Sequence, residues 1–283
     1  MSTAIIDGIT TRYEVIGSGP PLLMYAPGGF DATIEKWRTQ GVYATIRLLD
    51  HLPRAYTCIT FDRREAGESG GRVECVSWND YAAQGKGLLE HLGIERAHIM
   101  GACMGASPVV AFGVAYPQST LSMILYWPVG GAKYRIASHA RFTEHLEYVT
   151  QPGLDAVVSL VTASGKPFGA DPRGGPWATV IKRDAAFAAA YAALDIDRYK
   201  LIVADMARTM FDRDTAPGAQ SEDLLRLDIP ALVVPGNDAT HAMSAARYLQ
   251  ECLPRAEYWD VPISTQTEAT APARIMEFLA SAG

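Results

Sequence analysis

Along the 283-residue chain, apolar positions recur as short runs closed by glycine or proline: PLLMYAPGG, AYTCITFD, AHIMGA, LSMILYWP, PALVVPGND and AEYWDVP. Each has the length of a buried strand. Between most of them the spacing changes to three and four in YAAQGKGLLEHLG, MGASPVVAFGVAYP and SAARYLQECLP, the period of a helix with one apolar face. Strands alternating with helices predict an α/β domain with a doubly wound, mostly parallel sheet, while TTRYEVIGSGP, which alternates apolar and polar residues, predicts an edge hairpin strand. From 131 to 219 no strand signal appears, only helical pieces such as AAFAAAYAALDIDRYKLIVADMARTMF and the loop SGKPFGADPRGGP. The expected organisation is therefore a core of residues 1–130 and 220–283 interrupted by a helical cap, 131–219, that roofs one end of the sheet. The Ala-rich run is expected to be a tightly packed helix, not a repeat.

Composition narrows the classes of function. With 48% apolar and 20% charged residues, the sequence is that of an ordinary globular protein with material for a buried sheet. The net charge of -6 and the lack of any basic run argue against a nucleic-acid partner. No stretch approaches the 18 or more apolar residues of a membrane span, and the N-terminal residues lack a basic and then apolar leader pattern, so no membrane association and a cytoplasmic location are expected. Cys58, Cys75, Cys103 and Cys252 form neither a CxxC pair nor a disulfide framework, which predicts reduced thiols and no metal site. GSG at 17–19 and GKG at 85–87 lack the context of phosphate loops and no HExxH occurs, so no cofactor is implied. A homo-oligomer stays open.

The informative stretch is Gly101-Ala102-Cys103-Met104-Gly105, preceded by a strand signal and followed by a helical one. A G-x-S-x-G pattern in that context presents a nucleophile on a sharp turn, with small neighbours allowing the bend. Here the nucleophile position holds a thiol. With GSGPPLLMYAPGGF, FDRREAGESGG and IPALVVPGNDATH, the chain resembles the α/β-hydrolase superfamily over most of its length outside the insertion. The resemblance implies a glycine-rich loop that carries part of an oxyanion hole, a helical cap over the substrate, and Asp238 as the acid of a catalytic triad.

The departures from that family are specific. Pro27 stands where histidine often precedes the paired glycines, and Glu65 stands for a glycine in the arginine-containing turn. After the last strand, where the family has its catalytic histidine, the chain reads VPISTQTEATAPARIMEFL, without one. A serine there would lack its base. A thiol needs less help, since at a helix N-terminus its pKa of about 8.5 falls to roughly 3.5–7.5. Met104 and either Gly29 or Phe30 are expected to supply the oxyanion-hole N–H groups.

Release of an acyl group still needs a base. Of six histidines, His51 and His91 lie in polar contexts, His98 inside the elbow strand, and His139 and His145 in the insertion. His241, three residues after Asp238 at the start of a helix, is the remaining candidate, the alternative being a rim or packing residue. Asp238 in turn could be only an N-cap, and Cys103 only a thiol that fills the turn. Trp127 is expected near the cap, as a substrate-binding wall or equally as a packing residue. Thr265, Gln266 and Glu268 occupy the loop that lacks the histidine, as substrate contacts or plain surface. Asp62 and Arg64 read as a structural ion pair or turn fixation.

The predicted activity is a cofactor-free hydrolase acting with Cys103, Asp238 and His241 on a small ester, thioester, lactone or activated carbon–carbon bond. Alternatives are a non-catalytic ligand binder or sensor and a lyase or acyl transferase in the same pocket.

Overall fold

A computed structural model describes residues 2–282. Eight strands form one sheet in the order β1-β2-β4-β3-β5-β6-β7-β8: β1 (Ser2–Ile6), β2 (Ile9–Ile16), β3 (Pro21–Tyr25), β4 (Thr57–Phe61), β5 (Ala97–Ala102), β6 (Thr120–Tyr126), β7 (Ala231–Val234) and β8 (Ala256–Tyr258). β2 runs antiparallel to both its neighbours, β1 and β4, and the pairs from β4 through β3, β5, β6 and β7 to β8 are all parallel. This is the α/β-hydrolase fold. Every residue of β5 is buried, as expected of a central strand with both faces covered by helices. β2 instead alternates over part of its length.

The covering helices include α1 (Trp78–His91), α2 (Ala106–Ala115), α8 (Met243–Cys252) and α9 (Ala271–Ser281), numbered with the inserted helices below. Ser77 and Asp80 close a capping box at the start of α1, Asp80 accepting from the Ser77 amide at 2.7 Å, so the Ser-x-x-Asp spacing sets where that helix begins. Between β6 and β7 the described residues form no strand, and the longer helices there are α3 (Ala132–Thr150), α4 (Leu154–Ser164), α5 (Ala178–Arg183), α6 (Ala185–Ala192) and α7 (Ile196–Met210). None of the helices is long and apolar enough to cross a membrane.

Three expectations need correction. The first strand, β1, and the short helical turns between 36 and 51 carry no strong period, and neither is anticipated by pattern. The Ala-rich run is a helix, α6, but buries only Ala188 and Tyr191, so it is a surface helix. Asp62 and Arg64 do not pair with one another. Asp62 holds Arg12 at 3.2 Å and the Ile34 and Glu68 amides, whereas Arg64 is held by Glu65 and Glu74.

Candidate active site

The bend after β5 is built by close approach. A Cβ at Gly101 would lie 2.1 Å from the Gly105 carbonyl oxygen, and one at Gly105 would lie 2.6 Å from that of Tyr25. Backbone cannot yield such space, so both positions exclude any side chain. Between them Cys103 is held at φ 55°, a left-handed conformation that costs a non-glycine residue about 1–3 kcal/mol and is found where function fixes the backbone. Its side chain is 8% exposed, at the floor of a cavity of about 180 Å³.

The partner of Cys103 is positioned by sheet order. β6 lies between β5 and β7, and its ladder continues past the strand ends through the Trp127 N–H to the Val234 carbonyl at 2.8 Å and the Gly130 N–H to the Thr240 carbonyl at 3.1 Å. Gly130 and His241 pair as an isolated bridge. This extension brings the turn after β7 alongside the elbow. Within that turn Asp238 Oδ1 accepts from the Thr240 amide at 2.8 Å and the His241 amide at 2.9 Å, while Oδ2 lies 2.8 Å from His241 Nδ1. The N-cap of α8 is Ala242, so Asp238 closes the turn rather than capping the helix. With Nδ1 donating to the carboxylate, His241 Nε2 is left as a buried atom without a formed hydrogen bond.

Electrostatics couple that imidazole to the thiol. Burial raises the Cys103 pKa, but the His241 imidazolium, followed by the Gly28 and Met104 amides, outweighs it and leaves the thiol below its ordinary value. Burial lowers His241, and the Cys103 thiolate and Asp238 carboxylate together bring it to about 9. Both shifts favour one state, a thiolate facing an imidazolium, and the two groups titrate as a pair. Asp238 sits below its usual value, because hydrogen bonding and charge from His241 exceed the effect of burial.

The amides that stabilise the sulfur belong to Gly28 and Met104. Gly29, Phe30 and Met104 line the cavity, together with Tyr134, Phe142, Phe168 and Phe211 from the inserted region. Phe30, Phe142 and Phe168 pack edge to face with centroids 5.1–5.6 Å apart, joining the glycine-rich loop to the inserted helices. No periodicity in the sequence singles these aromatics out; only the tertiary contact does.

Trp127 is not in the cavity wall; of its two expected roles it has the packing one. Its ring lies against His241 at a centroid distance of 5.6 Å, and its indole N–H donates to Gln266 Oε1 at 3.2 Å. Gln266, 2% exposed, also accepts from the Tyr126 hydroxyl at 2.8 Å. The loop that lacks the histidine thus braces the end of β6 behind His241. Glu268 pairs with Arg47 on the surface, and Thr265 accepts at its carbonyl from Thr270; neither lines the cavity. Four of the five other histidines are engaged elsewhere: His98 with Ser122, His139 with the Phe211 carbonyl, His145 with Tyr199 and the Arg173 carbonyl, and His91 with Tyr13.

With this geometry in view, a family model described as the alpha/beta hydrolase fold matches residues 21–144, and that match and the structural neighbours support the α/β-hydrolase superfamily. The enol-lactonase of Burkholderia xenovorans LB400 superposes with a TM-score of 0.63 at 18% identity, over 99% of this chain and 100% of that one. Over 127 residues the chain is 31% identical to the dihydrolipoyllysine-residue acetyltransferase component of the acetoin cleaving system of Cupriavidus necator, 45% of this chain and 32% of that protein. Over 45 residues it is 47% identical to the 2-hydroxy-6-oxo-6-phenylhexa-2,4-dienoate hydrolase of Comamonas testosteroni, 16% of each. The chain therefore spans less than half the length of either curated relative.

Proposed function

We propose that the protein is a cofactor-free hydrolase in which Cys103 is the nucleophile, His241 the proton carrier and Asp238 its orienting acid, acting on a small ester, thioester, lactone or activated carbon–carbon bond beneath a helical cap. The observation that carries this reading is the state of His241: Nδ1 is engaged by Asp238, the remaining nitrogen is buried with no hydrogen bond formed, and the imidazole and the Cys103 thiol shift one another's titration. A short Asp-x-x-His turn would then replace the histidine absent from the loop after β8.

For an ester, the thiolate sulfur bonds to the carbonyl carbon, the carbon–oxygen bond breaks, and the imidazolium protonates the leaving alkoxide. Neutral His241 next takes a proton from water, whose oxygen attacks the thioester carbonyl. The carbon–sulfur bond breaks, the acid leaves, and the thiolate–imidazolium pair is restored. Oxyanions of both steps would be met by the Met104 amide and those of the Gly28–Phe30 loop. At about 180 Å³ the cavity is below the roughly 300–1,000 Å³ of ordinary ligand pockets, which supports a small acyl group. The names of the enol-lactonase and the dienoate hydrolase are consistent with that scale.

Intact-protein mass spectrometry after exposure to p-nitrophenyl acetate tests the reading. An acetyl adduct on Cys103, absent from Cys103→Ala and accumulating in His241→Ala, is expected; no adduct in the native protein, with Cys103 open to alkylation, would refute it. Transfer to an acceptor other than water is a second reading, favoured by the similarity to an acetyltransferase component. Identification of the acyl product separates the two.

A further inference from the structure

The turn after β4 is fastened to the glycine-rich loop after β3 at several points. Asp62 Oδ1 accepts from the Ile34 amide at 2.9 Å, and the Arg63 amide donates to the Ala32 carbonyl at 3.2 Å. The Arg63 side chain adds a third. Its Nη2 donates to the Gly29 carbonyl and, at 3.4 Å, to that of Gly28. Arg63 is 2% exposed, yet no carboxylate pairs with it among the described residues, and its Nε and Nη1 have no hydrogen-bond partner. The neighbouring Arg64 shows the ordinary arrangement, enclosed by Glu65 and Glu74.

A buried, unpaired guanidinium costs several kcal/mol unless something compensates it. The Tyr81 ring, 4.6 Å from the Arg63 Cζ, offsets part of that. Its hydrogen bonds go to peptide carbonyls, those of Gly28 and Gly29. Each peptide unit joins a carbonyl to the next N–H, so a cation at the Gly28 and Gly29 carbonyls polarises the units whose N–H groups belong to Gly29 and Phe30. Among the described residues no backbone carbonyl accepts from either of those N–H groups, and both residues line the cavity beside Cys103. Hydrogen bonds in series strengthen one another in a low-dielectric interior.

We propose that Arg63 is a positioning residue for acyl transfer: from beneath the glycine-rich loop its charge fixes and polarises the Gly28–Gly29 and Gly29–Phe30 peptides so that their N–H groups bind the oxyanion formed when Cys103 attacks a carbonyl. This role rests on the nucleophilic reading of Cys103. It also accounts for the absence of a carboxylate partner. A negative group beside Arg63 would cancel the field that the peptides use.

Two reactions of the same sulfur separate the loop from the thiolate. Acylation by p-nitrophenyl acetate passes through an oxyanion, whereas alkylation by iodoacetamide displaces iodide at a saturated carbon and forms none. In Arg63→Met, which keeps an apolar stem against Tyr81, acylation of Cys103 should slow at least about 10-fold with KM little changed, while alkylation stays within about threefold of the native rate. Arg63→Lys, which keeps a charge and a donor, should recover most of the loss. If Arg63→Met does not fold, Arg63→Gln, with a neutral donor, takes its place and should fall between the two. Native acylation rates in the uncharged variants would overturn the proposal, as would a parallel fall of acylation and alkylation, which would mean a disturbed thiolate. Should the native protein be alkylated but never acylated, the nucleophilic reading fails and this one with it; native acylation that is indifferent to Arg63 removes this one alone.

Discussion

A thiol and an imidazole that shift one another's titration impose a pH window, and its edges follow from the signs. Cys103 is an acid with a lowered pKa, so its thiolate persists as pH falls until that value is crossed, and reactivity is then lost. His241 is a base raised to about 9, so the imidazolium that the proposed mechanism uses to protonate the leaving group is lost above that value. Acylation rates should therefore form a bell whose alkaline limb bends near pH 9. In His241→Ala that limb should disappear, and iodoacetamide alkylation should require the alkaline conditions of an unassisted thiol. Acylation by an alkyl ester, whose leaving alkoxide needs the proton, reads the first against pH, and stopped-flow alkylation reads the second; an unshifted Cys103 alkylation profile in the variant would remove the histidine from the pair. Asp238→Asn keeps the turn's acceptor oxygen but not its charge, and turnover should drop at least about 10-fold as the imidazole loses its orienting carboxylate. Steady-state kinetics beside a thermal melt distinguishes that from a loss of fold.

At the scale of elements, what pattern makes legible is what local sequence controls. The strand β5, the glycine pair 101 and 105 and the helix α2 follow one another within residues 97–115, and each is visible as a change of period or as a forced small residue. The pairing of Asp238 with His241 is equally local, a three-residue turn. Contacts that depend on strand order are not local. That Trp127 stands behind His241 rather than over the substrate results from β6 pairing between β5 and β7 and from Gln266 reaching across from another loop. The same holds for Gly28, whose amide faces the sulfur only because the turn after β4 fixes its loop. The forced positions predict severe effects. Gly105→Ala would drive a methyl group to 2.6 Å from the Tyr25 carbonyl, and a loss of more than about 2 kcal/mol in chemical denaturation is expected, against little change for Ala189→Gly on exposed α6 beyond its helix-propensity cost of about 1 kcal/mol.

For the molecule as a whole, Cys103, Asp238 and His241 follow the ends of β5 and β7, and side chains from the helical region between β6 and β7 line the cavity beside Cys103. Phe142 stands where the two meet: fully buried, it touches Phe30 of the glycine-rich loop and Phe168 and Phe211 of the inserted region, and it lines the cavity over Cys103. Truncation to alanine removes an aromatic ring from that junction, with two consequences of different kind. Stability should fall by about 3–5 kcal/mol if the space stays empty, since neighbouring rings cannot close over it completely. The cavity should also lengthen toward the insertion, so that esters with longer acyl chains gain on acetate. Measuring kcat/KM over a series of p-nitrophenyl esters separates the effects: a uniform decline reports only damaged packing, whereas a reversal of preference toward longer chains, with Cys103 alkylation unchanged, shows that the inserted helices set the length of the substrate while the sheet sets its chemistry. A side chain that bridges both layers can produce that reversal, and Phe142→Leu, filling part of the same volume, should lie between the native protein and the alanine variant on both scales.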